Sequence, residues 1–304
     1  GMFVDKVILA DMNGDSLLDA VVPMPQNTSL GWIPYVASLN GWSTDAMVVV
    51  ASSFFVHVLD AGDMDNDGDI DLVAVHPSTG TLTWFLALDG SSGTAFDRAS
   101  LELSTVGGNA RAISLSDVNG DGMPDVIISF GSPTGSLVSL LGYLSTSGIG
   151  FSIPQPLATG LDITRPAFVD VDGDGRTDTV AVNTDAVSAT TATLVLRTDG
   201  ERKLRSFYPI TLSDSDGAGV IDMAFGDVDG DGLIDAVVVS ASESRAMVYR
   251  NTANGMFGTG SELPSMVTSP AAVAVADMDG DGDLDVVVAA TPSVVWFENV
   301  DAAG

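Results

Sequence analysis

Apolar residues come in short runs punctuated by glycine and aspartate. VILA at 7–10, AISL at 112–115 and AVAVA at 272–276 each lead into an aspartate-rich segment. Valine-rich runs follow these segments: AVV from Ala20, LVAV from Leu72, VIIS from Val126, TVAV from Thr179, AVVV from Ala236 and VVVA from Val286. Runs this short and β-branched, bounded by Gly and Asp, predict strands and not helices. A third run, often aromatic, comes next: LGWIPYV at 30–36, LTWFLAL at 82–88, AMVYRN at 246–251 and VVWFENV at 294–300. A weaker fourth run precedes most of the next units, as in AMVVVA at 46–51 and SFYPITL at 206–212.

The aspartate-rich segments are copies of one another. DMNGDSLLD from Asp11, DMDNDGDID from Asp63, DVNGDGMPD from Asp117, DVDGDGRTD from Asp170, DVDGDGLID from Asp227 and DMDGDGDLD from Asp277 align without gaps. Their starts are 52, 54, 53, 57 and 50 residues apart. Four antiparallel strands per repeat at this spacing is the pattern of a β-propeller blade. The expected fold is therefore all-β: one propeller domain over residues 1–304, six-bladed, with four-stranded antiparallel blades. Each blade carries one aspartate loop between its first and second strands. Small residues in the first strands suit the crowding near a propeller axis. The sixth unit runs out after its third strand, near Asn299, which leaves its fourth strand unaccounted for.

Composition sharpens this picture. Lys and Arg total 11 against 41 Asp and Glu, a net charge of −30. That balance repels a phosphate backbone, so no nucleic-acid partner is expected. Of the 41 acidic residues, 24 lie in the six loops, so the charge is clustered. There is no cysteine, which excludes disulfides and thiolate zinc sites. No apolar stretch reaches the roughly 18–20 residues of a membrane span. The sequence opens without a basic-then-apolar leader, and the chain is expected to be part of a longer multidomain surface protein.

Oxygen-rich loops of this kind suit calcium, which takes about six to eight oxygen ligands at roughly 2.3–2.6 Å. Side chains at positions 1, 3 and 5 converge on one point, and glycine at position 6 allows a left-handed turn that swings the carbonyl of position 7 inward. An aspartate at position 9 completes the shell. The expected ligands are Asp11, Asn13, Asp15, the Leu17 carbonyl and Asp19 in the first loop, and Asp63, Asp65, Asp67, the Asp69 carbonyl and Asp71 in the second. The third offers Asp117, Asn119, Asp121, the Met123 carbonyl and Asp125; the fourth, Asp170, Asp172, Asp174, the Arg176 carbonyl and Asp178. The fifth offers Asp227, Asp229, Asp231, the Leu233 carbonyl and Asp235; the sixth, Asp277, Asp279, Asp281, the Asp283 carbonyl and Asp285. About six calcium ions are expected, one per loop. The first loop, with Asn13 and with Ser16 in place of glycine, is expected to bind most weakly. A helix–loop–helix calcium hand is excluded: its bidentate glutamate at position 12 is replaced by Val22, Ala74, Ile128, Ala181, Val238 and Val288.

The loop D-x-[DN]-x-D-G-x-x-D between two strands, with an aromatic third strand and the turn Asn254-Gly255-Met256-Phe257, resembles the FG-GAP/VCBS repeat. The likeness covers nearly the whole chain. Integrin α-chain propellers and many secreted microbial adhesion and lectin-like proteins carry this repeat. The integrin-type Gly-Ala-Pro after the loop is absent, Val75-His76-Pro77 being nearest, so the VCBS variant is the better match. The resemblance implies an extracellular or cell-surface, calcium-stabilised platform for recognition.

On a propeller, the face opposite the calcium loops is built from turns entering the first strand and joining second to third. His57, Arg111, Arg165 and Asp222 fall there, in segments that differ from repeat to repeat. Variable turns on a rigid scaffold carry recognition. The expected role is adhesion or recognition of a glycan or an extracellular protein, without catalysis. The alternatives are a carbohydrate-active enzyme such as a polysaccharide lyase, drawing on His57, His76, Arg111 and Arg165, or a structural spacer. No nucleophile elbow, phosphate loop or histidine metal triad is present. Trp32, Trp84 and Trp296 follow their loops at similar distances, which predicts packing between blades; Trp42 lies outside that register and suits sugar stacking.

Overall fold

The computed structural model describes residues 7–24, 29–52, 54, 56, 58–76, 80–88, 92–103, 109–117, 122–131, 136–140, 142–145, 148–151, 155–159, 163–175, 178–183, 192–199, 203–211, 220–240, 243–253, 255–264 and 267–299. Apart from two single-turn 3-10 helices, Ala37–Leu39 and Thr44–Ala46, the described elements are β-strands. They fall into two compact units, Gly1–Asp162 and Ile163–Gly304.

In the first unit, Ile8–Ala10, Asp19–Met24, Ser29–Ile33 and Val48–Ala51 form one antiparallel sheet in chain order. Val58–Gly62, Asp71–Val75, Thr81–Ala87 and Phe96–Glu102 form the next, followed by Asn109–Ser116, Asp125–Gly131, Ser136–Leu140 and Gln155–Thr159. Small two-stranded ribbons are inserted before the last strand of the first and third sheets: Tyr35–Val36 with Gly41–Trp42, and Gly142–Ser145 with Gly148–Phe151. The second unit repeats the meander with Ile163–Val169, Asp178–Asn183, Ala192–Asp199 and Lys203–Thr211. Val220–Gly226, Asp235–Ser240, Arg245–Tyr249 and Ser261–Glu262 follow, and then a three-stranded sheet of Pro270–Ala276, Asp285–Ala290 and Val294–Phe297. The strand runs read from hydrophobic patterning therefore exist, and among the described residues the last sheet has three strands.

The core lies between sheets, and the second strands show why. Leu72 and Ala74 pack into a cluster with Leu30, Trp32 and Phe54 of the preceding segments. Val73 and Val75 point the other way, into a cluster with Ile113, Val126 and Ile128 of the following sheet. In the second unit, Val237 and Val239 face Val286 and Val288, whereas Ala236 and Val238 lie with Met247 and Tyr249. A strand covered on both faces reads as a continuous apolar run, which accounts for LVAV and AVVV.

First strands of successive sheets lie side by side within each unit. Their carboxylates join them: Leu115 N–H donates to Asp60 Oδ2 at 2.9 Å, and Val273 N–H donates to Asp222 Oδ2 at 3.0 Å. The small residues at the ends of these strands are demanded by that crowding. A Cβ on Gly226 would lie 2.7 Å from Leu284 Cδ1 and 3.0 Å from Val275 Cγ2.

Trp32 and Trp84 are buried between sheets as their spacing predicts. Trp32 Nε1–H donates to Gly93 O at 2.8 Å, and Trp84 meets Phe151 edge-on with ring centroids 5.0 Å apart. Trp296 differs: it is 47% exposed. Trp32 and Trp84 are covered by residues of the following sheet, whereas the Trp296 strand belongs to the last sheet of its unit.

Candidate metal centres

All six aspartate loops connect the first and second strands of their sheets, and the ninth residue of each is the first of the second strand. Asp19, Asp71, Asp125, Asp178, Asp235 and Asp285 pair directly across the ladder with Ala10, Gly62, Ser116, Val169, Gly226 and Ala276. All six carboxylates are buried.

The loop backbone folds around its own side chains. The carboxylate at position 1 accepts the N–H of position 6 in every loop, as in Gly68 N to Asp63 Oδ2 at 3.0 Å, Gly122 N to Asp117 Oδ2 at 2.8 Å and Gly232 N to Asp227 Oδ2 at 2.9 Å. It also accepts the N–H of position 5, at 3.1 Å for Asp67 and 3.0 Å for Asp231. Position 5 in turn accepts from position 7: Leu17 N–H to Asp15, Asp69 N–H to Asp67, Leu233 N–H to Asp231 and Asp283 N–H to Asp281. Two left-handed residues make this coil possible, at positions 4 and 6. Gly230 and Gly232 have φ of 71° and 87°, and even the non-glycines comply, Asn66 at 61° and Ser16 at 67°. Ser16 thus takes the glycine conformation at a cost of about 1–2 kcal/mol, consistent with a weaker first loop.

These turns bring carboxylates together. Asp63, Asp65 and Asp71 each place an oxygen within 4.8 Å of the others, as do Asp170, Asp172 and Asp178; Asp227, Asp229 and Asp235; and Asp277, Asp279 and Asp285. Oxygens sharing one cation at roughly 2.3–2.6 Å are at most about 5 Å apart, so the spacing fits calcium. A second observation supports the fit. Asp65 Oδ1 is buried and has no hydrogen-bond partner, an orphaned acceptor on a member of the second loop's cluster. An unsatisfied buried carboxylate oxygen is costly unless a cation meets it. Positions 1, 3 and 9 converge in all four clusters. Asp15, Asp67, Asp174, Asp231 and Asp281 at position 5 lie beside them on the exposed rim. Asn119, Asp121 and Arg176 lie outside the described residues, as does His57.

The ninth aspartate has a second task that the loop pattern does not announce. Its Oδ2 accepts the N–H of position 2: Met12 at 3.1 Å, Met64 at 2.7 Å, Val171 at 3.2 Å, Val228 at 3.0 Å and Met278 at 2.9 Å. Its Oδ1 accepts a backbone N–H at or just beyond the end of the third strand: Tyr35, Ala87 and Asn251 at 2.8 Å, and Asn299 at 2.7 Å. The same carboxylate ties the loop to the sheet and offers its remaining lone pairs inward. Asn251 and Asn299 were likewise invisible in the loop motif, since they end the third-strand runs VYRN and WFEN.

Without a cation these groups resist ionisation. Burial pushes the Asp71 carboxyl up to about 7, against the pull of the Ala87 and Met64 N–H groups and with help from the Asp65 and Asp67 charges. Burial likewise raises Asp19, Asp235 and Asp65, the last reinforced by Asp67. Asp285 is lowered instead, chiefly by the Asn299 N–H. Folded Asp71 keeps its proton up to about pH 7, whereas the unfolded chain releases it near 3.8. The metal-free protein is therefore expected to lose stability as pH rises through that window. A cation bound among these oxygens would favour the ionised form and reverse the slope. Urea midpoints of metal-free protein at about pH 5 and pH 8 test this sign, and a metal-free protein more stable at the higher pH contradicts it.

The residues nominated for the opposite face are placed only in part. Arg111 lies at a β-bulge between Ala110 and Ala112, and Arg165 lies in the bulged stretch Thr164 to Ala167. Asp222 follows a bulge after Val220, and its Oδ2 is engaged by the neighbouring first strand through Val273. His76 packs edge-on to Phe54 with centroids 6.3 Å apart. Trp42 is 51% exposed, edge-on to Tyr35, and its Nε1–H donates to Leu18 O in the first aspartate loop. That bond puts the exposed tryptophan on the loop side.

The sequence profile of the FG-GAP-like repeat matches residues 63–128, 170–238 and 227–288. No curated protein sequence matches significantly. Among solved structures, the chain is similar to a lectin from Agrocybe aegerita described as recognising non-reducing terminal N-acetylglucosamine. The TM-score is 0.67 and the identity 16%, over 99% of this chain and 82% of the lectin. It is also similar to a chain of a nidogen–laminin complex, with TM-score 0.50 and 13% identity over 90% of this chain and 87% of the other. At such identities the likeness speaks for a shared all-β fold. The repeated loop, its place between first and second strands, and a profile match over more than half of the sequence converge: this chain belongs to the FG-GAP-like repeat family.

Proposed function

We propose that the chain is a calcium-binding β-propeller that serves as an extracellular or cell-surface recognition module for a glycan or an extracellular protein. In this reading the six sheets are blades of one domain over residues 1–304, each loop holds one ion, and the molecule is not a catalyst. The observation that carries it is the recurrence of one carboxylate cluster, with the buried orphan oxygen of Asp65 in the second. Calcium supplies positive charge that ties the loop oxygens together. The protein's own part is to aim those oxygens, through left-handed turns and the buried ninth aspartate. Loops of this type in extracellular modules bind in the roughly 0.1–1 mM range, which favours a location where calcium is that abundant.

The recognition role is supported by the fold shared with a lectin that recognises terminal N-acetylglucosamine and with a chain of a nidogen–laminin complex. Among the described elements, no helix is long and apolar enough to cross a membrane. The bulged first-strand stretches that hold Arg111, Arg165 and Asp222, with His57 added from the sequence, are the proposed ligand surface. A glycan array that includes terminal N-acetylglucosamine, run in millimolar calcium and again in chelator, tests the reading, with immobilised laminin as a protein arm. Binding that appears in calcium and disappears in chelator is expected. Binding indifferent to chelation, or the shortening of a polysaccharide by the protein, contradicts it.

A further inference from the structure

Asn251 sits where two aspartate loops meet. Its backbone N–H donates to Asp235 Oδ1 at 2.8 Å, and its Nδ2 donates to Ile234 O at 3.0 Å, both at the exit of the loop from Asp227. The other Nδ2 hydrogen goes to Val171 O at 2.7 Å, in the entry of the loop from Asp170. The residue is buried, 2% exposed. Asn299 repeats the arrangement one sheet further on. Its N–H reaches Asp285 Oδ1 at 2.7 Å, and its Nδ2 reaches Leu284 O at 3.3 Å and Val228 O at 2.8 Å.

We infer that Asn251 and Asn299 are positioning residues that couple neighbouring metal loops, so that an ion in one loop favours binding in the next. This rests on the calcium reading above. Val171 and Val228 occupy position 2, between the first and third ligands of their loops. The N–H of each is held by the ninth aspartate of its own loop, at 3.2 and 3.0 Å. With the C=O held by the asparagine, the two peptides that flank each valine are both tied, and so are the directions of the carboxylates on either side. One of these two restraints therefore belongs to the next loop. Drawing Asp235 and Ile234 into register around an ion sets Asn251, which sets Val171 between Asp170 and Asp172. Linkage requires the effect to run equally in the other direction.

The chemistry is particular to an amide. Its nitrogen has two hydrogens and spends one on each loop; aspartate has none to give, and alanine cannot span the gap. At the matching places of the first unit, Tyr35 and Ala87 supply only the backbone N–H. There the second and third loops meet directly, Asn66 Nδ2 donating to Gly122 O at 2.8 Å, whereas Met12 O faces the turn at Gly93, where a Cβ would fall 2.2 Å away. Among the described residues, the coupling through asparagine thus joins the loops from Asp170, Asp227 and Asp277.

The test uses the full chain, calcium chloride titrations by calorimetry, and hydrogen exchange of peptides covering each loop as calcium rises. Asn251→Ala is expected to raise the calcium needed to protect the loops from Asp170 and Asp227 by on the order of tenfold, as losses of outer-shell partners do, and to move the loop from Asp277 by a smaller factor, passed on through Asn299. Asn299→Ala, at a half-buried position and so gentler on folding, is expected to move the effect to the loops from Asp227 and Asp277. Lower melting temperatures with unchanged calcium midpoints in both variants would show a merely structural amide and overturn the coupling alone. Wild-type loops that gain no protection in calcium, with no heat of binding, would overturn the metal reading and the coupling together.

Discussion

Stripping calcium from this protein is expected to lower its melting midpoint by roughly 10 °C. At free calcium about ten times the dissociation constant, each loop gains about 1.4 kcal/mol from bound metal, so the three loops of either unit gain roughly 4 kcal/mol. In a unit of about 150 residues, each kcal/mol moves the midpoint by about 2–4 °C. Part of that gain is relief of mutual repulsion. Asp63, Asp65 and Asp71 hold oxygens within 4.8 Å of one another, and a close pair of charges costs about 1–4 kcal/mol at effective dielectrics of roughly 80 to 20. Calorimetric scans in millimolar calcium and in chelator measure the difference. Magnesium should restore little, because it demands a tighter octahedral shell and gives up its water reluctantly. A midpoint unmoved by chelation contradicts the account.

The second large effect separates two aspartates of one loop. Asp235→Ala is expected to cost about 3–5 kcal/mol even in chelator, because it leaves the Val228 and Asn251 N–H groups without their acceptor in a buried place. Asp231→Ala removes a single acceptor, that of the Leu233 N–H, on an exposed rim. It should cost less than about 1 kcal/mol in chelator. In calcium both variants lose metal-derived stability. Denaturant unfolding of the two variants with and without calcium reads the contrast directly. Equal losses in chelator would show that the ninth position has no task beyond coordination.

Much of this was legible in the sequence, because the second strands are buried in a way their own composition declares. Second strands such as LVAV from Leu72 are apolar on both faces and became the middle of the packing, with alternate residues in the clusters on either side. The loops were legible because aspartate and glycine have few other reasons to recur at fixed offsets. What escaped notice has a common cause: it depends on groups brought together from distant parts of the chain. The ninth aspartate reads as a ligand in the motif, and only folding brings the backbone of Tyr35, Ala87, Asn251 and Asn299 to its other oxygen. Asn251 meets Val171 across 80 residues. Asn66 takes a left-handed turn that the glycines at position 4 elsewhere disguise as ordinary spacing. Trp296 shares the register of Trp32 and Trp84, yet it is exposed at the end of its unit, since register fixes a direction and not a neighbour.

The proposed recognition surface is less legible because its residues share no side-chain pattern from repeat to repeat. Asp222 carries the chemistry of a ligand contact, yet its Oδ2 accepts the Val273 N–H and joins two first strands. Trp42, singled out only for falling outside the tryptophan register, stands beside the first aspartate loop and donates to Leu18 O.

The central claim is that a cation belongs among the oxygens of Asp63, Asp65 and Asp71 and of their counterparts in the other loops. A crystal structure of the protein grown in millimolar calcium, with anomalous diffraction recorded, tests it most directly. The account predicts a calcium peak inside each loop, with carboxylate oxygens at roughly 2.3–2.6 Å and Asp65 Oδ1 among them. Water alone at those centres, with the carboxylates turned outward, would contradict it.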